Sequence, residues 1–316
     1  MEGQPDGVRR LEEELQQFPG VVQEEFRRAQ RALRGFLLAS EEEAWAQEGA
    51  ALARVTVRAW EAAAEYFRAS PEVLPLLTFA HLLPWVRHGA LLCQDSPTVA
   101  VAYFRASPGA LRGLRARQVG AWAYLGRRLY KGTWKSSLLA AKFFEVSPAL
   151  LSALPFYEVE RFVLFLEEVS ARSQDLATEC LLLGQEVLPR LGAVREGFLA
   201  LLSTAATGGW REVKAAFEAA SRVLPRLEPT QQGKFLALAE RLGRGSPSAA
   251  SAFLLEGGQA LVHLPAALHG PVLSLAEALL PIYPEAVLPF MKSSPQVMVR
   301  VSGHHLSLWF AEGARL

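Results

Sequence analysis

Hydrophobic residues recur three or four positions apart along most of the chain, the spacing that places them on one face of an α-helix. Leu82, Trp85, Gly89 and Leu92 form one such face. Leu and Ala supply much of the 51% hydrophobic content, whereas the β-favouring residue Ile occurs only at position 282. The pattern and the composition together predict an all-α fold.

A short phrase recurs along the chain, in which an aromatic pair is followed, after two intervening residues, by Ser-Pro. The step from Phe67 to Phe104 is 37 residues, and the step from Phe104 to Phe144 is 40. Weaker forms keep the register further on, and Ser-Pro returns at Ser294-Pro295. The positions equivalent to Phe67 are Phe104, Phe144, Leu181, Phe217, Leu254 and Met291.

A second phrase, W-x-x-x-G, alternates with the first. It occurs as Trp45 with Gly49, as Trp85 with Gly89 and as Trp122 with Gly126, and Trp309 with Gly313 repeats it near the end. The apolar position of this phrase continues between these copies at Phe162, Leu199, Phe235 and Val272. Two interleaved phrases that stay in register indicate internal repeats.

These repeats predict a HEAT/TPR-like helical-repeat solenoid with units of about 37 residues, because one unit has too little apolar surface to fold alone and must stack on its neighbours. The recurring tryptophans are expected in the core, since every unit solves the same packing problem. We predict N-terminal capping helices over residues 1–44, where charge is dense, and the solenoid over 45–316. The last unit, which opens at Trp309, is expected to be incomplete.

The Ser-Pro pairs predict helix starts, because Ser caps free backbone amides and Pro is favoured at the first helical position. In the unit that follows Ser70, this predicts a short helix after Pro71 and a longer one near residues 79–93. A third helix is predicted to begin at Pro97. The pairs are Ser70-Pro71, Ser96-Pro97, Ser107-Pro108, Ser147-Pro148, Ser246-Pro247 and Ser294-Pro295.

The combination of W-x-x-x-G with A-x-Y-F-x-x-S resembles the helical N-terminal region of NorD-type proteins that carry a von Willebrand factor A domain. Trp85, Gly89 and the segment 102–107 carry the resemblance, with echoes around Trp45, Trp122 and Trp309. It implies a scaffold that works with a MoxR-type AAA+ ATPase. This sequence lacks the D-x-S-x-S metal-site motif of that family, so no functional residue is transferred from it.

Net charge is only +1, yet no Asp or Glu occurs between Ser96 and Phe144. The basic residues of this stretch predict a binding face for an acidic partner, a phosphate or nucleic acid. The alternative is a solvated face whose counter-charges come from neighbouring repeats. The residues of this basic segment are Arg105, Arg112, Arg115, Arg117, Arg127, Arg128, Lys131, Lys135 and Lys142.

The sequence favours a protein-interaction scaffold over an enzyme. It contains no P-loop, nucleophile elbow, dinucleotide fingerprint or zinc-ligand spacing, so we expect no catalytic residue, metal or cofactor. A nucleic-acid-binding protein that uses the basic segment is the alternative. Cys93 and Cys180 lie in apolar stretches and are expected to be buried free thiols, which favours a reducing, cytoplasmic location. No apolar run predicts a membrane span.

Overall fold

A computed structural model describes residues 6–77 and 79–298, and within these ranges every regular element is helical. The helices stack in successive pairs, so the predicted all-α helical-repeat fold is confirmed. The chain divides into two compact units, unit 1 over Met1–Leu182 and unit 2 over Leu183–Leu316. The residues that would form the incomplete last unit, Trp309 and Gly313, lie outside the described residues.

Unit 1 is built from two layers of helices. Each helix packs on the next helix of its own layer and on its partner in the other layer. The first layer contains α1 (Asp6–Leu15), α3 (Ala39–Ala53), α5 (Phe79–Asp95), α7 (Val119–Leu129) and α9 (Phe156–Arg172), and the second contains α2 (Gly20–Leu33), α4 (Ala59–Val73), α6 (Pro97–Gly113) and α8 (Trp134–Ala153). α10 (Gln174–Val187) crosses the division between the units, and residue 44, our predicted domain boundary, lies within α3.

Unit 2 repeats the two-layer arrangement. The first layer of unit 2 contains α11 (Arg195–Gly208), α13 (Pro229–Gly245) and α16 (Ala266–Leu279). The second layer of unit 2 contains α12 (Trp210–Arg222), α14 (Pro247–Ala252), a π-helical turn (Phe253–Gly257), α15 (Gly258–Val262) and α17 (Pro284–Met298). The π turn ends next to Gly258, where two consecutive glycines weaken regular α-helical geometry.

The positions that keep the sequence register form the core of both units. The W-x-x-x-G positions lie on the first layer and the positions equivalent to Phe67 lie on the second, or on α10 in the case of Leu181. In the described ranges all of them are buried, with Trp45, Trp85 and Trp122 at 0% exposure. The core role predicted for these tryptophans is therefore confirmed.

The two recurring motifs contact each other in the folded protein. The copies built on Trp45 and on Trp85 each make three such contacts. The indole N–H of Trp85 donates to Ser107 Oγ at 2.9 Å, and the Tyr103 hydroxyl donates back to the Trp85 carbonyl at 3.2 Å. A β-carbon on Gly89 would overlap the ring of Phe104, so only glycine lets that ring reach the helix backbone. The copies built on Trp45 and Trp122 repeat the indole bond and the glycine contact.

The prediction that Ser-Pro begins a helix is right at two pairs and wrong at four. Ser96 and Ser246 precede α6 and α14, and Ser246 Oγ accepts a bond from the Ala249 amide. Ser70, Ser107 and Ser147 each accept an indole N–H and donate to a carbonyl of their own helix, so they serve a tertiary contact instead of a cap. Ser294 donates to the Phe290 carbonyl of its own helix. A 3₁₀ turn over Leu74–Leu76 stands where we predicted a short helix. The pairs inside helices are Ser70-Pro71, Ser107-Pro108, Ser147-Pro148 and Ser294-Pro295.

Replacing Ser107 by Ala is expected to lower the free energy of unfolding by about 1–2 kcal/mol, because it leaves the buried Trp85 indole N–H without an acceptor. Urea denaturation followed by circular dichroism measures the change. Ser152→Ala is the control, since Ser152 is exposed and bonds only to a carbonyl of its own helix. Equal stabilities of the two variants would contradict the proposed importance of the indole bond.

Candidate functional site

The structure places the predicted basic segment on α6, α7, α8 and the connections between them. Most of its side chains form ion pairs. Arg105 binds Glu65 on α4 at 2.7 Å, and Arg127 binds Asp95 at the end of α5 at 2.6 Å. The remaining pairs are Arg112–Glu72, Arg128–Glu167, Lys131–Glu167, Lys135–Asp175 and Lys142–Glu145.

These pairs bring to the basic segment the acids that its own sequence lacks. Six acids form these seven pairs, since Glu167 binds both Arg128 and Lys131. Five of the acids lie on other helices, and Glu145 lies on the same helix as Lys142. Burial alone would raise the pKa of Glu167, but its pairs with Lys131 and Arg128 lower it overall. Arg115 and Arg117 have no carboxylate partner within the described ranges. The segment is therefore much less positive than its sequence suggests.

A line of charges that sequence reasoning missed crosses the second layer of unit 1. Arg68 on α4 donates to Glu25 on α2 at 3.0 Å and to Glu65 on its own helix at 2.6 Å, and Arg105 on α6 donates to the same Glu65 oxygen. Glu25 and Glu65 are 7% and 6% exposed. The bond to Glu25, despite some burial of the guanidinium, raises the pKa of Arg68. These four residues link α2, α4 and α6, three successive helices of the second layer of unit 1.

The two cysteines are free and buried, as predicted. Burial raises the pKa of the Cys93 thiol to about 11. Burial is also the main reason that the pKa of the Cys180 thiol rises to about 12. Because the thiolate is the reactive form, we expect neither thiol to react with Ellman's reagent at pH 7 in the native protein, and both to react in urea. One rapidly reacting thiol without urea would contradict this prediction.

An open groove crosses the second layer of unit 2. It consists of two adjoining cavities of about 720 Å³ and about 400 Å³ that share Glu256, Gln259 and His263. The larger cavity lies between α12 with its following 3₁₀ turn (Leu224–Arg226) and the π turn with α15, and the smaller lies between α15 and α17. Three successive elements of one layer therefore line this unit 2 groove.

The unit 2 groove has an apolar floor and polar walls. Leu254 and Val223 are buried at its base. Gly258 lets α15 approach Val223, since a β-carbon there would lie 2.8 Å from Val223 Cγ2. The π turn adds a residue to the helix at this point, a distortion that is common at functional sites. The sequence signal that could have indicated this place is the Gly257-Gly258 pair in the second-layer register.

Three cations and two carboxylates line the two cavities. Glu218 pairs with Arg222 and Glu256 pairs with Lys292, both at 2.5 Å. Arg226 also lines the larger cavity, and within the described ranges no carboxylate pairs with it. The groove therefore carries a small excess of positive charge.

The described residues define a helical-repeat protein with an open groove along one layer of unit 2. A search of this part of the chain finds no group of three or more His, Cys, Asp or Glu side chains placed to hold a metal ion. Among the described helices, none is both long and apolar enough to cross a bilayer. Comparison of the chain with family models, curated proteins and solved structures finds no match.

Proposed function

We propose that this protein is a non-catalytic scaffold that holds a partner polypeptide across the unit 2 groove. The observation that carries the proposal is the continuity of the groove over three successive elements of one layer, α12, α15 and α17. Helical-repeat proteins typically bind their partners on extended surfaces of this kind. Neighbouring helices are about 8–10 Å apart, so the groove spans roughly 16–20 Å, which is more than a small ligand needs.

The resemblance to NorD-type proteins supports a MoxR-type AAA+ ATPase as the partner. The residues that carry this resemblance, such as Trp85 and Ser107, are buried in the core, so they support the scaffold and make no contact with the partner. The ion pairs of the basic segment favour the groove over that segment as the binding surface. A cytoplasmic location is part of the same proposal, since MoxR-type ATPases consume ATP.

Affinity capture with a purified MoxR-type ATPase tests the proposal. Ser221→Trp fills the larger cavity from an exposed position on α12 and is expected to reduce capture at least tenfold. Ser152→Trp is the matched control, because Ser152 is an exposed serine near the end of a unit 1 helix. Retention of the ATPase by Ser221→Trp would contradict the groove as its binding surface.

A third variant separates the groove from the basic segment. Arg115→Glu combined with Arg117→Glu reverses the two segment charges that have no carboxylate partner among the described residues. We expect this double variant to capture the ATPase as the wild type does. If only this double variant loses capture, the binding site lies on the basic segment and not in the groove. If nuclease treatment abolishes capture, the protein binds nucleic acid and the scaffold proposal is wrong.

A further inference from the structure

Two glutamines stand at equivalent positions in successive repeats and line the unit 2 groove together. Gln259 on α15 and Gln296 on α17 are 37 residues apart, the same step that separates Leu254 from Met291. Both side chains are exposed and line the smaller cavity. Within the described ranges no hydrogen bond engages either amide. The repeat therefore presents two unengaged carboxamides, one helix apart, along the groove.

A glutamine carboxamide both donates and accepts hydrogen bonds, so it can bind the C=O and the N–H of a peptide group simultaneously. Helices of one layer lie about 8–10 Å apart, and an extended chain advances about 3.3 Å per residue. Gln259 and Gln296 are therefore spaced to engage peptide groups about three residues apart in one extended chain. An α-helical ligand would not fit this arrangement, because its backbone groups bond to each other.

The charge of the groove adds a side-chain preference. Its two carboxylates already pair with Arg222 and Lys292, whereas Arg226 has no carboxylate partner among the described residues. Arg226 lines the larger cavity with Gln259, beyond the end that Gln296 occupies. A ligand that runs from Gln296 past Gln259 thus brings its next residues towards a guanidinium, which forms charge-assisted bonds with carboxylates.

We infer that the unit 2 groove binds an extended acidic peptide, with Gln259 and Gln296 bonding its backbone and Arg226 bonding an Asp or Glu side chain. This inference rests on the proposed function and adds the chemistry of the bound segment. Hydrogen bonds to the peptide backbone supply affinity that does not depend on the peptide's sequence. The Arg226 guanidinium supplies the preference for an acidic residue.

Selection of random 12-residue peptides displayed on phage, with the full chain as bait, tests the inference. The expected peptides carry at least one Asp or Glu, and synthetic copies labelled with fluorescein allow the affinity to be measured by polarisation. Gln259→Ala and Gln296→Ala are each expected to weaken binding about fivefold, the effect of one typical hydrogen bond. Arg226→Glu is expected to weaken it more than tenfold and to recover binding of a peptide whose acidic residue is changed to Lys.

Two control variants match these changes outside the groove. Arg190→Glu alters the same Leu-Pro-Arg 3₁₀ turn one repeat earlier, and Gln94→Ala alters an exposed helical glutamine in unit 1. Both are expected to bind the peptides as the wild type does. Circular dichroism of all variants confirms that a loss of binding is not a loss of structure.

The possible failures are distinguishable. Peptides that bind with the same affinity to the two glutamine variants and to Arg226→Glu would overturn the inference and leave the scaffold in place. The absence of selected peptides, with Ser221→Trp still preventing capture of the ATPase, would show that the groove binds a folded surface instead. If no peptide is selected and Ser221→Trp captures the ATPase normally, both the inference and the proposed groove are wrong.

Discussion

Gly89→Ala is expected to lower the free energy of unfolding by about 2 kcal/mol, although alanine is the better helix former. The methyl group would overlap the Phe104 ring, which is fully buried and packs edge-on against Trp85 with a centroid separation of 5.2 Å. The ring has little room to move, because Tyr66 and Tyr103 also contact it. Overpacking of this kind typically costs about 1–3 kcal/mol, and the helix propensity of alanine offsets at most about 1 kcal/mol.

Three further variants isolate the cause. Gly233→Ala changes an exposed glycine of α13 that has no atom within 4 Å of the added carbon, so it should be neutral or slightly stabilising. Phe104→Leu removes the ring atoms that the methyl group would meet. The double variant with Gly89→Ala should therefore have a free energy of unfolding at least about 1 kcal/mol higher than the sum of the two single effects predicts. Tryptophan fluorescence during urea unfolding measures all four proteins. Additive effects would mean that Gly89 does not make room for Phe104.

Arg68→Met is expected to lower the free energy of unfolding by about 2 kcal/mol. Among the described residues Arg68 is the one ionic partner of Glu25, whose carboxylate is buried and whose second oxygen, Oε2, is already without a hydrogen bond. Removing one member of a buried pair typically costs about 3–5 kcal/mol, because the other charge is left without compensation. The Arg68 side chain is 44% exposed, so water reduces this cost.

The exposed pair Arg222–Glu218 provides the control for this prediction. Arg222→Met removes an i,i+4 partner whose side chain is 76% exposed and should change stability by less than about 0.5 kcal/mol. Adding Glu25→Gln to Arg68→Met removes the uncompensated charge and is expected to restore more than half of the loss. If Arg68→Met unfolds at the same urea concentration as Arg222→Met, the charge line contributes no more than an ordinary surface pair.

The core could be predicted from the sequence because each repeat places the same residues in the same environment. Trp85, Gly89, Phe104 and Ser107 occupy positions that recur at steps of about 37 residues, and all four meet in one cluster. Even there, one local rule misled us. Ser-Pro before an apolar run usually begins a helix, but at Ser107 the hydroxyl satisfies the Trp85 indole, and the helix continues through Pro108.

The candidate site could be predicted only in part. The sequence showed the absence of acids between Ser96 and Phe144, but not the acids that other helices bring to Arg105, Arg127 and Arg128. Those partners are 32–40 residues away, and their distances depend on how each helix is rotated against the next. The same holds for the unit 2 groove, whose walls come from helices separated by one or two repeats.

The sequence by itself determined the all-α class, the register of the repeats and the identity of the core positions, because the periodicity of apolar residues reflects a packing problem that every unit must solve. Only the tertiary structure decided which charges are compensated, where a helix continues through a proline, and where one layer opens into a groove. These features arise from contacts between side chains on different helices, and no spacing along a single helix encodes them.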